Sequence, residues 1–136
     1  MIKLIVGKKG TGKTKLLISL VNEALKKSDG KIVCIEKGTK LTYDIDHGAR
    51  LIDTDSYNIF GCDALFGFLA GVAAGDFDTK EVYVDSLLKI CGDEIAAIPK
   101  LINKVEALSK KENVDFFFVL SAESEEIPED CKRFIA

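Results

Sequence analysis

The sequence predicts an α/β fold in three layers, a mainly parallel central sheet flanked by helices. Three observations predict it. A short, largely apolar run with three β-branched residues, Ile2-Lys3-Leu4-Ile5-Val6, leads through a glycine-bearing loop into a segment where Leu16, Leu17, Leu20, Val21, Ala24 and Leu25 recur at three- and four-residue spacings, the one-face periodicity of a helix. Further apolar runs at 31–36, 82–85 and 114–120 are short and nearly continuous rather than alternating, as strands covered on both faces are. Helical stretches lie between them, and strands that alternate with helices pair in parallel. At 136 residues, with 47% hydrophobic and 30% charged side chains, the chain has the balance of one globular domain able to bury its own core.

The first strand opens into Gly7-Lys8-Lys9-Gly10-Thr11-Gly12-Lys13-Thr14, which matches G-x-x-x-x-G-K-[ST], the phosphate-binding P-loop or Walker A pattern, at every fixed position. Glycines let successive amides turn inward around a phosphate. Lys13 then places a compact charge between the second and third phosphates, and the Thr14 hydroxyl is the expected protein ligand for magnesium. Strand before and helix after are the context the pattern requires, and the helix N-terminus adds free N–H groups and its dipole. The expected phosphate-binding set is therefore Gly7, Lys8, Lys9, Gly10, Thr11, Gly12, Lys13, Thr14 and Lys15.

The first helix should run out at 26–29, where Ser28-Asp29-Gly30 is a turn signal. The strand at 31–36 ends on Glu36, a carboxylate delivered to the carboxyl edge of the sheet, where ligands of open α/β sheets bind. The signal is weakest over 37–58: Asp46-His47-Gly48 reads as a turn, with His47 a surface residue rather than a catalyst, and Arg50-Leu51-Ile52-Asp53 as a short strand. A hairpin or an excursion at the sheet edge fits this stretch. Residues 61–75 form a helix of small and apolar residues with Gly67, Gly71 and Gly75 on one face. Tight packing on the sheet is the preferred reading of that face, and a subunit contact the sharper one.

Val82-Tyr83-Val84-Asp85 is an apolar strand ending in aspartate, as in a Walker B element that holds magnesium. Leu51-Ile52-Asp53 is a rival, but its apolar run is shorter and follows Arg50. A long helix is expected over 93–111, with Pro99 kinking it or starting its main part. The run at 114–120 is the most hydrophobic and must be a central strand; it ends in Ser121, then Ala122-Glu123, at the same edge as Glu36. Residues 125–130 form an acidic turn, and 131–136 a last edge strand.

The formal charge of −3 gives no general electrostatic reason to expect nucleic acid as a partner. The four cysteines, at 34, 62, 91 and 131, make no C-x-x-C pair and are expected to be reduced and mostly buried. A first strand at residue 2 leaves no room for a leader, so a cytoplasmic location is expected. The apolar run at 64–74 is too short to span a bilayer.

With these residues in place the chain resembles a P-loop NTPase, and more particularly a minimal domain of the RecA-like branch of ATPases. The resemblance is specific over 2–25 and loose over 31–36 and 80–136. It implies ATP as ligand and magnesium as cofactor, held by Thr14 and Asp85. It also implies a strand between the P-loop strand and the Walker B strand whose polar end senses the nucleotide; Ser121 stands there. That branch places a water-activating glutamate at the end of the second strand, where Glu36 stands. Many relatives in the wider class carry the glutamate directly after the Walker B aspartate instead; here that residue is Ser86, a departure that leaves hydrolysis to Glu36. Lys13 and Glu36 are thus the expected catalytic pair. With only Arg50 and Arg133 in the chain, the several arginines of a small-molecule kinase lid are missing, and fast hydrolysis would need a finger from a second subunit or a protein partner. A slow ATPase or nucleotide switch is expected. A non-hydrolysing, nucleotide-dependent interaction module and, behind it, a kinase stay open.

Overall fold

The computed structural model describes residues 1–27 and 29–136. Its strands are β1 (Ile2–Gly7), β2 (Lys31–Glu36), β3 (Arg50–Asp53), β4 (Thr79–Val84) and β5 (Asp115–Ser121), and its α-helices α1 (Lys13–Lys27), α2 (Cys62–Gly75), α3 (Leu87–Ile90) and α4 (Ile98–Glu112). The strands form one five-stranded sheet in the order β1-β5-β4-β2-β3, with every neighbouring pair parallel.

β5 lies at the centre of pairing between β1 and β4, and its side chains alternate between two cores. Phe116, Phe118 and Leu120 pack with Leu65, Leu69, Leu87, Ile90, Leu101 and Val105 of α2, α3 and α4. Phe117 and Val119 pack on the other face with Leu17 and Val21 of α1 and with Leu41 and Ile45. Helices on both faces leave the strand no polar side, which is why it is an unbroken apolar run. On the α1 face Tyr83 and Phe117 stack with centroids 4.4 Å apart. Among the described residues no helix is long and apolar enough to cross a membrane.

Parallel pairing sends every strand's carboxyl end to one edge. Gly7 pairs with Ser121, Glu36 with Asp53, and Ile35 with Val84 immediately before Asp85. The polar residues that end the apolar runs are thereby gathered in one place.

Several expectations are corrected. The turn expected at Ser28-Asp29-Gly30 begins at Ser28, which lies outside the described residues. Residues 37–49 are turns rather than a hairpin arm, and β3 joins β2 in parallel as the edge strand. This excursion is tied down by Leu41 and Ile45 in the core and by Asn22, whose side chain bonds the Asp44 carbonyl (3.1 Å) and the Asp46 amide (3.0 Å). The helix expected from 93 starts at Ile98, with Pro99 in its first turn, after a 3-10 turn over Ile95–Ala97. Proline lacks the amide that a first turn leaves unpaired anyway.

The last edge strand is not formed. Glu129–Phe134 is 3-10 helical, and its amides are taken locally: Cys131 N–H donates to the Pro128 carbonyl at 2.9 Å and Ile135 N–H to Lys132 at 3.1 Å. Burial of Cys131 and Phe134 at three-residue spacing suits that helix. Only Ile135 bridges to Leu4 beside β1.

The glycine face of α2 is not its packing face. Leu65, Leu69 and Ala73 take the core-facing stripe, and a Cβ placed at Gly67, Gly71 or Gly75 would meet nothing within 4 Å. Two residues on from a buried leucine is about 200° around the helix, so these glycines face away from the sheet.

Candidate functional site

The loop between β1 and α1 is built by glycine conformation. Gly10 and Gly12 hold φ of 84° and 87°, left-handed values that cost a side-chain-bearing residue roughly 1–2 kcal/mol. The Thr11 hydroxyl donates to the Lys8 carbonyl at 2.7 Å and closes the turn. The Leu16 amide is bonded to the Gly12 carbonyl at 3.1 Å. The amides of Lys13, Thr14 and Lys15 therefore belong to the first helical turn, whose N–H groups have no intrahelical acceptor. With the helix dipole behind them they make a site for an anion.

A cavity of about 630 Å³ opens in front of this turn, lined by Lys9, Gly10, Gly12, Lys13, Thr14, Lys15, Glu36, Asp85 and Ser121 from the expected set. Residues from the ends of β2, β4 and β5, far apart in sequence, thus meet the loop. Gly7, Lys8 and Thr11 shape the loop without lining the cavity; the Lys8 ammonium turns aside to Glu123 at 3.1 Å. Lys13, 8% exposed, bends over its own loop and donates to the Lys8 carbonyl at 2.7 Å.

Asp85 is 8% exposed. Burial raises its proton affinity, and the Ser86 amide with the fields of Lys13, Lys89 and Lys40 opposes that rise. Asp53 is absent from the cavity: its carboxylate accepts from the Gly38 amide at 2.8 Å, the Asp55 amide at 2.9 Å and the Ser56 hydroxyl at 3.2 Å. It caps the 3-10 turn at Thr54–Tyr57. Asp85 is the strand-end aspartate that remains.

Glu36 is 2% exposed, and both its oxygens are bonded, one to the Lys40 amide at 3.1 Å and the other to the Leu41 amide at 3.0 Å. Burial raises its proton affinity, and those two amides oppose the rise. Its visible work is to hold the turn that follows β2, while it also lines the cavity.

No protein-family model matches the chain, and no curated protein does. What the site can do is therefore argued from its own chemistry. The Thr14 hydroxyl and Asp85 carboxylate are hard oxygen donors lining one cavity, and magnesium takes such donors in small number beside waters and phosphate oxygens. The donor set fits that ion, although among the described residues no group of three or more His, Cys, Asp or Glu could hold a metal.

Ser86, noted in the sequence for lacking a carboxylate, lines the cavity too, and sequence reasoning missed Lys37, Lys40, Leu88, Lys89 and Asp93, which stand in the same wall. Their signal was position: each follows a strand that ends at the carboxyl edge. Neither arginine is there; Arg133 is held bidentately by Glu106 at 3.1 Å on each branch, and Arg50 begins β3 at the far end of the sheet. A second cavity of about 630 Å³, lined by Phe60, Cys62, Phe66, Cys91, Lys100 and Lys104 among others, opens beside α2 and α4, and no expected site residue reaches it.

Proposed function

We propose that this chain is a P-loop protein that binds ATP with magnesium and turns it over slowly, acting as an ATPase or nucleotide switch. One observation carries the reading: the Gly7–Thr14 loop stands between strand and helix at the carboxyl edge of a parallel sheet, and Lys13, Thr14, Glu36, Asp85 and Ser121 line one cavity with it.

In this reading the amides of the first helical turn and the Lys13 ammonium bind the phosphates, with Lys13 exchanging its bond to the Lys8 carbonyl for a phosphate oxygen. Thr14 and Asp85 hold magnesium. When bound, that ion neutralises charge on the second and third phosphates. Ser121 offers its hydroxyl at the end of β5, beside the loop, where it registers whether a third phosphate is present. Glu36 orients the attacking water through whatever acceptor capacity its two amide bonds leave.

Those two amide bonds also favour a second reading, a nucleotide-dependent interaction module that does not hydrolyse. A glutamate committed to a turn is a poor base, and Ser86 offers no carboxylate in its place. Phosphate release separates the two. The ATPase reading expects magnesium-dependent release abolished in Lys13→Ala and reduced strongly in Glu36→Gln. Tight ATP binding with no release moves the protein to the second reading. Adenine rests on the resemblance alone, so GTP belongs beside ATP in the assay.

A further inference from the structure

The cavity lining as a whole is cationic in a chain that is acidic overall. Six lysines and three carboxylates line the cavity, whereas the whole chain carries −3. The six differ in what they already hold. Lys13 bonds its own loop, and Lys37 is paired with Asp55 at 2.6 Å. Lys9 and Lys15 sit on the loop and first helical turn. Lys40 and Lys89 are different: they come from the other side of the site, and neither has an ion-pair partner among the described residues.

Both are carried on fixed backbone. The turn bearing Lys40 is held by Glu36 through the amides of residues 40 and 41, and the Leu41 side chain is 1% exposed in the core. Lys89 lies on α3 between Leu87 and Ile90, both fully buried. Lys13, Lys40, Lys89 and Asp85 all line the one cavity, and the fields of the three lysines all reach Asp85. The last phosphate of a nucleoside triphosphate carries about two negative charges near neutral pH, and the triphosphate as a whole carries one charge more than the diphosphate. Free, unpaired ammonium groups on anchored backbone suit charge that a diphosphate lacks.

We infer that Lys40 and Lys89 grip the third phosphate from the wall opposite Lys13, so that this single chain supplies the cations that its two distant arginines do not. The inference rests on the nucleotide-binding reading above. It gives Glu36 a second duty, that of a positioning residue for the Lys40 turn. It also removes the need for a finger from another subunit.

Titration of ATP and ADP, each with magnesium, into the wild type and the Lys40→Ala, Lys89→Ala and double variants tests the inference. The expected result is a loss on the order of tenfold per lysine in the preference for ATP over ADP, the size of a charge-assisted hydrogen bond, with ADP affinity unchanged. Lys40→Arg and Lys89→Arg should restore most of that preference. Lys132→Ala, whose ammonium is held by Glu129 at 3.1 Å and which does not line the cavity, should leave it unaltered. Phosphate release per chain should stay constant on dilution.

Equal losses for ATP and ADP, an unchanged preference, or release that falls on dilution would each overturn the clamp. A wild type that binds ATP through Lys13 but shows an unchanged preference in the double variant overturns the clamp alone. A wild type that binds no nucleotide overturns the P-loop reading with it.

Discussion

Two glycine-rich stretches catch the eye in this chain, the loop at 7–12 and the helix at 61–75, and the structure treats them oppositely. In the loop, Gly10 and Gly12 stand at φ of 84° and 87°, and the backbone they bend faces a cavity. In α2, Gly67, Gly71 and Gly75 sit in or at the end of an ordinary helix, with open space where their side chains would be. The first set is required by geometry. The second is tolerated by it, and a regular four-residue spacing made it look equally purposeful. The difference teaches that a glycine pattern carries function only where the backbone uses what glycine permits.

Substitution to alanine at one member of each set is the sharpest way to break the comparison. Gly12→Ala should cost about 1–2 kcal/mol of stability from the left-handed backbone and disturb ATP binding with it. Gly71→Ala should stabilise the protein by roughly 0.8–1 kcal/mol, as alanine does at an exposed helical site, and leave ATP binding alone. Denaturant unfolding and nucleotide titration on both variants check this. A destabilised Gly71→Ala would mean that something packs on that face in solution, and the two stretches would be alike after all.

How far the fold could be read follows the same division between local and distant causes. β1, β2, β4 and β5 were legible because each is a short apolar run covered on both faces, and α1 because its leucines keep helical spacing. The meeting of Asp85 and Ser121 at one cavity was legible because they end such runs at an edge that parallel pairing gathers together. Glu36 was located but half understood: its partners, the amides of Lys40 and Leu41, come from a turn whose course depends on Leu41 and Ile45 reaching the core under α1. Lys40 and Lys89 were invisible as a pair because one follows β2 and the other β4, and only the sheet order brings them to one cavity. The tail over 131–136 misled because apolar residues at three-residue spacing read as a strand when no neighbour is specified.

A smaller effect separates the two faces of the sheet. Cys34 lies in β2 under α1, where burial pushes its thiol up to about 12, whereas Cys62 heads α2 and is partly exposed. At pH 8 the Cys34 thiolate fraction is on the order of one part in ten thousand, and the thiolate is the reacting species. Mass spectrometry after brief alkylation of the native protein should find Cys62 modified before Cys34, Cys91 or Cys131. Early modification of Cys34 would mean that the sheet opens on the α1 side more readily than its burial implies.

The central claim is that the loop at 7–14 holds phosphate through Lys13. Calorimetric titration of ATP with magnesium into the wild type and Lys13→Ala tests it most directly. The account predicts saturable one-to-one binding that weakens roughly tenfold to a hundredfold in the variant, the worth of a lost charge-assisted contact, with the fold intact by circular dichroism. Binding of equal strength in both proteins, or in neither, would contradict it.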